Sequence, residues 1–248
     1  MKNYIAQAGS TLTLNNGEGE TTVDIYSKEG LDLLTNLWIK SAAQHRLMYE
    51  PTWLGRPVIQ FPTDIVAMQE LIWSVQPDVI VETGVAHGGS LVLSASILEL
   101  IGHGKVIGVD IDIRAHNRAA IEAHPLKHRI ELIEGSSVAD ETISAVKKAI
   151  GNAQKVMVVL DSNHSEAHVY QELELYGAMV SKDSYMVAHD GAQAWVWDIP
   201  RGKLEWKDDH PLTAINKYLH LHSEFVKEPS WTRLGITSSP DGWLKKIL

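Results

Sequence analysis

The feature that most constrains this chain is an apolar run that ends in an acid and passes directly into a loop rich in glycine. Residues 79–81 are β-branched, which is typical of a strand covered on both faces in a parallel sheet. Glu82 follows, and Gly84 and Gly88 precede a helical pattern that begins at Ser90. Because glycine adopts positive φ and has no Cβ, the loop lets a ligand approach the backbone closely. The stretch predicts a cofactor loop at the carboxyl end of a buried strand.

This loop lacks the marks of two common nucleotide-binding motifs. A P-loop ends in Gly-Lys-Ser/Thr, but here Gly89 is followed by Ser90, so no lysine meets the phosphates. The motif G-x-G-x-x-G is broken at Ala86, and Glu82 would repel a pyrophosphate. Such a carboxylate suits S-adenosylmethionine, which carries an ammonium and a sulfonium but no phosphate. An ordinary strand-to-helix turn remains the alternative for the loop taken alone.

A second apolar run ends in another acid. Residues 105–109 form a strand-like pattern that finishes at Asp110. In doubly wound folds a carboxylate about 20 residues past the glycines binds a ribose diol. Asp110 is therefore predicted to bind the ribose of the cofactor, and a solvated acid at a strand end is the alternative.

Strand-like and helix-like patterns alternate along the chain, which is typical of a parallel sheet with helices on both faces. The strand-like runs cover residues 78–82, 105–110, 129–134, 155–161 and 185–189. We expect a doubly wound, Rossmann-like α/β fold over residues 63–248, preceded by an N-terminal helical extension over residues 1–62, with Thr63 capping the next helix. Residues 234–237 and 243–247 flank a Ser-Pro-Asp-Gly turn and predict a C-terminal antiparallel hairpin. A parallel sheet finished by such a hairpin is the pattern of class I methyltransferases.

Composition excludes several classes of function. A length of 248 residues fits one large α/β domain, and the net charge of −9 without a long basic run argues against a nucleic-acid partner. The absence of cysteine removes thiolate nucleophiles and cysteine-bound zinc. No apolar window reaches the length of a membrane span, so we expect a cytoplasmic protein with no membrane partner.

Two strand ends carry groups that could hold a metal. Asp161 ends the fourth run, and the fifth ends in His189 and Asp190. Carboxylates at the same edge of a sheet repel each other unless a cation lies between them. We therefore predict a divalent metal held by Asp161, His189 and Asp190. Oxygen ligands favour Mg²⁺, whereas a histidine nitrogen would favour Mn²⁺ or Fe²⁺. Helix caps or salt-bridged acids are the alternative.

A set of short motifs extends from residue 53 to residue 190. They include WLGRP at 53–57, QFPTD at 60–64, VETG at 81–84, IEGSS at 133–137 and LDSNH at 160–164. In this combination the chain resembles the cephalosporin hydroxylase and rhamnosyl O-methyltransferase family of class I S-adenosylmethionine-dependent methyltransferases. More distantly it resembles the catechol-type, metal-dependent O-methyltransferases. The resemblance implies a cofactor site made by Glu82, Gly84, Gly88, Ser90, Asp110, Ser136 and Asp161, with Ser136 near the adenine.

The resemblance also implies a catalytic base. In the catechol-type enzymes the metal-binding aspartate is followed three positions later by a lysine that acts as general base, and here that position is His164. An unperturbed imidazole has a pKa of about 6.5, which suits this role at neutral pH. The His189-Asp190 pair departs from the two consecutive acidic or amide ligands of the related families, and this leaves the identity of the metal open.

The predicted function is a metal-dependent O-methyltransferase that acts on a hydroxyl of a small ring-shaped acceptor, either a sugar or a natural-product diol. Residues 191–231 form a long insertion beyond the fifth strand and are expected to build the acceptor pocket. The insertion contains tryptophans that could stack on a ring or pack on the core: Trp195, Trp197, Trp206 and Trp231. An oxygenase with a redox metal and a non-catalytic cofactor-binding partner protein are the alternatives, and a homo-oligomer is left open.

Overall fold

The fold was obtained as a computed structural model, which describes residues 4–15 and 19–248. The strands are β1 (Tyr4–Ala8), β2 (Thr11–Asn15), β3 (Glu20–Asp24), β4 (Thr52–Trp53), β5 (Arg56–Pro57), β6 (Val79–Thr83), β7 (Lys105–Asp110), β8 (Ile130–Glu134), β9 (Val156–Leu160), β10 (Tyr185–Ala188), β11 (Phe225–Lys227) and β12 (Trp243–Lys246). The helices are α1 (Lys28–His45), α2 (Pro62–Val75), α3 (Gly89–Ile101), α4 (Ala115–Glu122), α5 (Asp140–Ile150), α6 (Glu166–Gly177) and α7 (Pro211–Leu221).

A seven-stranded sheet organises the molecule, in the order β11-β12-β10-β9-β6-β7-β8. Strands β6 to β10 run parallel, and β12 lies antiparallel between β10 and β11. The five predicted parallel strands and the doubly wound α/β fold are confirmed. Successive strands progress outward from β6 in both directions, so the carboxyl ends of β6 and β9 form the topological switch point, where such sheets bind ligands.

The central strands are mainly apolar because both of their faces are covered, and their polar residues lie near the strand ends. Ile80 packs into a cluster with α2 and α3, whereas its neighbours Val79 and Val81 pack on the other face with α5, α6 and α7. This alternation follows from the two-residue period of a strand. The helices supply the matching apolar faces, as Leu71 does in α2 and Leu173 in α6.

The C-terminal hairpin forms with a different first strand from the one predicted. Its strands are β11 and β12, and residues 234–237 form no strand. Instead, Thr237 donates a hydrogen bond of 2.6 Å to the Asp64 carboxylate, and the Thr63 hydroxyl donates to the Ile236 carbonyl. The expected capping role of Thr63 is therefore also wrong, since α2 begins one residue earlier, at Pro62.

The N-terminal extension contains more than the predicted helix. Strands β1, β2 and β3 form a separate antiparallel sheet, in which Leu12 and Asn15 are the buried residues. Residues 11–14 alternate as Thr-Leu-Thr-Leu, but this run is short and was not recognised as a strand, so the sheet was not predicted from the sequence. The expected helix is present as α1, and its buried side chains include Ile39 and Ala42.

In the described ranges of the chain, no helix combines the length and apolar character needed to cross a membrane.

Candidate active site

The loop after β6 is built of glycines that the protein itself requires. Gly84 has φ +89°, and a Cβ there would overlap the backbone carbonyl oxygen of Asp161, at the end of β9. At Gly88, with φ +79°, a Cβ would strike the side chain of Ile121. Gly84 thus allows the ends of β6 and β9 to lie against each other, and Gly88 leaves room for the Ile121 side chain of α4. The sequence analysis explained these glycines by close approach of a ligand alone. The structure adds a second reason, because the surrounding protein leaves no room for a Cβ at either position.

Glu82 is a buried carboxylate at the end of β6. It is 1 % exposed and accepts a hydrogen bond from the Ser90 hydroxyl. Burial raises the pKa of Glu82 to about 7, although the bond from Ser90 lowers it. A buried carboxylate with one neutral donor is stabilised by a nearby cation, such as the ammonium of an amino-acid group. The residue therefore fits the methionine end of the predicted cofactor.

Asp110 lies where the sequence placed it, but its carboxylate already holds the glycine loop. It accepts hydrogen bonds from the backbone N–H groups of Val85 at 2.8 Å and Ala86 at 3.2 Å, and its other oxygen accepts one from Asp112 at 3.1 Å. A carboxylate offers about four lone-pair sites, so capacity remains for a ribose hydroxyl. Ser136 lies half-buried at the same edge of the sheet, two residues after the end of β8.

Two carboxylates and an imidazole converge at the carboxyl ends of β9 and β10. One ligand atom each from Asp161, His164 and Asp190 lies within 4.8 Å of the others, and His164 Nε2 is 3.2 Å from Asp190 Oδ2. Desolvation raises the pKa of Asp161 well above its usual value, and the negative charges of Asp190 and Glu82 raise it further. Since a divalent cation would relieve this repulsion, the donor set fits the metal that the sequence predicted.

Asp190 has a backbone conformation that a side chain adopts at a cost. Its φ of 60° and ψ of 22° lie in the left-handed region, which aspartate tolerates better than most residues. Asp190 lies two residues after the end of β10 and begins the turn over Gly191–Trp195. Strained residues of this kind concentrate at functional sites.

His189 does not join this cluster. Its ring is 2 % exposed, with Nδ1 2.7 Å from the Ser239 hydroxyl and Nε2 3.4 Å from the Gln60 amide nitrogen. Burial lowers the pKa of His189 to about 4, so the ring is neutral at physiological pH. Its amide still continues the sheet by donating to the Leu160 carbonyl. The structure thus brings His164, not His189, to the carboxylate pair, since the His189 ring is buried against Ser239 and Gln60.

Two cavities meet at the cluster. The glycine-loop cleft, of about 200 Å³, is lined by residues 84–87 and by Ser90. The apolar cleft, of about 350 Å³, is lined by side chains from α1 and from the turns beyond β10. His164, Asp190 and Gln60 line both. The buried amide oxygen of Gln60 has no hydrogen-bond partner within the described residues, so a ligand could supply the missing donor.

Residues 191–231, expected to build an acceptor pocket, contribute only some of the lining of the apolar cleft. Helix α7 packs on α6, and β11 completes the main sheet. Trp206 lines the apolar cleft, whereas Trp231 packs beside Trp243 with ring centroids 6.4 Å apart. The sequence interpretation missed the contribution of α1 and of Gln60, although the QFPTD motif contains Gln60.

Solved structures share the fold. A CmcI structure described as holding Mg and S-adenosylmethionine aligns with a TM-score of 0.59 and 18 % identity, over 81 % of this chain and 78 % of that one. A Bacillus cereus O-methyltransferase in complex with S-adenosylhomocysteine aligns with a TM-score of 0.51 and 14 % identity, over 82 % of this chain and 84 % of that one. These likenesses support the class I methyltransferase fold.

Proteins of similar sequence are also O-methyltransferases. The rhamnosyl O-methyltransferase of Mycobacterium bovis is 30 % identical over 142 residues, which are 56 % of this chain and 56 % of the relative. That of Mycobacterium leprae is 28 % identical over 141 residues, 56 % of this chain and 59 % of the relative. The alignments thus span little more than half of these relatives. The profile of the family described as rhamnosyl O-methyltransferase/CmcI matches residues 45–247, and the chain therefore belongs to this family.

Proposed function

We propose that this protein is a metal-dependent O-methyltransferase that moves the methyl group of S-adenosylmethionine to a hydroxyl of a small ring-shaped acceptor with neighbouring oxygens. The observation that carries the proposal is the position of Asp161, His164 and Asp190. His164 and Asp190 line both the glycine-loop cleft and the apolar cleft. A methyl donor in the first cleft and an acceptor in the second would meet at these side chains.

The glycine-loop cleft is the proposed cofactor site. Glu82 would stabilise the ammonium of the methionine end, and Ser90 would orient the Glu82 carboxylate, to which it donates. Asp110 would accept from the ribose hydroxyls while it holds the loop backbone. Ser136 would lie near the adenine. Binding of the cofactor or its product by the CmcI and Bacillus structures supports this assignment.

Asp161 and Asp190 would hold the metal, with His164 as a third donor or as the base. Two carboxylate oxygens suit Mg²⁺, whereas a histidine nitrogen in the same set suits Mn²⁺ or Fe²⁺. A bound divalent ion would fix acceptor oxygens and lower the pKa of the attacking hydroxyl. We leave His189 out of the proposed donor set because its ring contacts Ser239 and Gln60 instead, so the nitrogen ligand of this set would be His164.

His164 is the proposed general base. Its imidazole would take the proton of the acceptor hydroxyl, and Asp190, 3.2 Å away, would stabilise the imidazolium that forms. The buried amide oxygen of Gln60 would accept a second hydroxyl of the acceptor and help to orient the ring. Attack of the oxygen on the methyl carbon, in line with the sulfur, would form the O–C bond as the C–S bond breaks, and S-adenosylhomocysteine would leave without a covalent enzyme intermediate.

The test combines chelation with substitutions in the cluster. With a panel of sugars and catechols as acceptors, EDTA should abolish methyl transfer, and added Mg²⁺ or Mn²⁺ should restore it. Asp161→Asn should lose turnover in the same way, and His164→Gln should lower it about 10²- to 10⁴-fold. Both variants should still bind S-adenosylhomocysteine in calorimetry.

The matched control is Asp241→Asn, which removes an exposed acid that pairs with Lys227 at 2.9 Å, outside both clefts. It should keep the parent rate. Full methyl transfer by the parent protein in EDTA, or by Asp161→Asn, would contradict the proposed role of the metal.

A further inference from the structure

The apolar cleft has two positively charged side chains in an otherwise largely apolar lining. Arg46 and Arg201 both line it, together with apolar residues such as Ile39 and Val196. Among the described residues that line this cleft, Asp190 is the one acid, and it belongs to the proposed metal cluster. No ion pair in the described ranges includes Arg46 or Arg201. Both arginines are exposed residues that line this cleft, so they bring positive charge to its open side without an acidic partner in the described ranges.

Arg46 has a strained backbone conformation, and its side chain stacks on Tyr49. It ends α1 with φ 60° and ψ 33°, a left-handed position at which glycine is the usual residue. Its guanidinium carbon lies 4.3 Å from the ring centroid of Tyr49. Since Tyr49 lines both clefts, this cation–π contact keeps Arg46 next to the site.

Arg201 is tied to the same end of α1. Its backbone N–H donates a hydrogen bond of 3.1 Å to the side-chain oxygen of Gln44, two residues before Arg46. An ion pair between Lys40 and Asp198 joins the two segments a second time. The segments that carry the two arginines are therefore connected directly, and both contribute to the wall of one cleft.

We infer that the acceptor is an anion, whose carboxylate or phosphate group binds Arg46 and Arg201 while its hydroxyl lies at the Asp161/Asp190 cluster. The guanidinium fork matches the geometry of carboxylate and phosphate oxygens and forms stronger hydrogen bonds to them than to neutral groups. The protein as a whole carries a net charge of −9, so general attraction of anions does not account for such a preference. The inference rests on the proposed function, because it requires the acceptor to occupy the apolar cleft.

Calorimetry on protein loaded with S-adenosylhomocysteine and Mg²⁺ tests this with matched probes. The pairs are 3,4-dihydroxybenzoate with its amide, glucuronate with glucuronamide, and glucose 6-phosphate with glucose. In at least one pair the anion should bind about tenfold more tightly or better, since that ratio corresponds to one charge-assisted contact. The pair with the largest ratio of anion affinity to neutral affinity identifies carboxylate or phosphate as the preferred group.

Arg46→Gln and Arg201→Gln should each reduce that preference, and the double variant should remove it, with affinity for the neutral partner little changed. Arg46→Lys should restore part of it, because the charge returns without the planar fork. The control is Arg233→Gln, which removes the same charge from a residue that pairs with Glu70 outside the cleft. It should keep the full preference.

Three outcomes would overturn the inference, and they are distinguishable. Equal binding of anion and neutral partner would refute the anionic acceptor and leave the proposed function intact. A preference that survives in the double arginine variant would refute the role of these two residues. Binding of S-adenosylhomocysteine without binding of any probe would count against the proposed diol acceptor, and the inference would fall with it.

Discussion

Glu82 shows how a single buried group can couple proton release to binding of a cation. Because burial raises its pKa to about 7, much of Glu82 is protonated at or below neutral pH. A ligand with an ammonium favours the ionised carboxylate, so binding below pH 7 must also release the Glu82 proton. Affinity for S-adenosylhomocysteine should therefore rise with pH between about 6 and 8 and then level off.

This pH dependence is measured by calorimetry at several pH values in buffers of different ionisation enthalpy, which also count the released proton. Glu82→Gln should bind more weakly at pH 8 and lose most of the dependence. Ser90→Ala is an informative companion, since loss of the bond that lowers the pKa of Glu82 should move the rise to higher pH. A constant affinity of the parent protein from pH 5.5 to 8.5 would show that Glu82 does not meet a cation.

At the same scale, the sequence predicted that Asp161 and Asp190 meet and that His164 faces them as the base, but it also counted His189 among the ligands. Asp161 and Asp190 each follow a buried parallel strand, and that position alone brings them to one edge of the sheet. The choice between His164 and His189 depends on side-chain direction at a strand end and on the left-handed turn at Asp190. Neither can be deduced from residue type and spacing.

The loop between β6 and α3 is the element that brings the strand ends together, and Gly84 is its tightest point. A Cβ there would overlap the Asp161 carbonyl, and φ is +89°. Gly102 ends α3 with a similar φ of +91°, but a Cβ there would meet nothing within 4 Å. An alanine at Gly102 would therefore meet backbone strain alone, whereas an alanine at Gly84 would meet both strain and a clash.

Gly102→Ala should cost about 1 to 2 kcal/mol of unfolding free energy, from strain alone. Gly84→Ala should cost more, above about 3 kcal/mol, because the strand ends must also separate. Urea denaturation followed by circular dichroism measures both values. Equal costs would show that the clash at Gly84 is easily relieved by small shifts. Packing would then not require glycine at this position, and close approach of a ligand would remain as the reason for it.

At the scale of elements, the sequence predicted the parallel strands well. Strands covered on both faces are continuous apolar runs, and these stand apart from the amphipathic helices and polar loops beside them. It failed for β11, which has three residues, of which Phe225 alone is buried. A strand so short has no periodicity to detect. It is a strand because it pairs with β12 in the folded sheet, and this pairing is not visible in the sequence. The sheet of β1 to β3 was missed for another reason: its five-residue strands are mostly exposed and lack the continuous apolar runs of the main sheet, although residues 11–14 alternate.

Across the whole molecule, the apolar cleft is assembled from parts that lie far apart in the chain. Helix α1 supplies Ile39 and Ala43, the segment before α2 supplies Gln60, and the turns beyond β10 supply Trp206. The division at residue 62 stays a prediction. In the structure, the extension forms one wall of the cleft that we assign to the acceptor. Sequence patterns could not show this, since they describe neighbours along the chain and not the walls of a cavity.

The central claim is that a divalent metal lies between the two clefts, held by Asp161 and Asp190. The most direct test is anomalous diffraction from crystals grown with Mn²⁺ and S-adenosylhomocysteine. The account predicts one strong manganese peak within coordination distance of both carboxylates, at about 2.0 to 2.3 Å, with the homocysteine end of the ligand in the adjoining glycine-loop cleft. Density for the bound ligand with no manganese at Asp161 and Asp190, in crystals whose protein is active only with Mn²⁺, would contradict it.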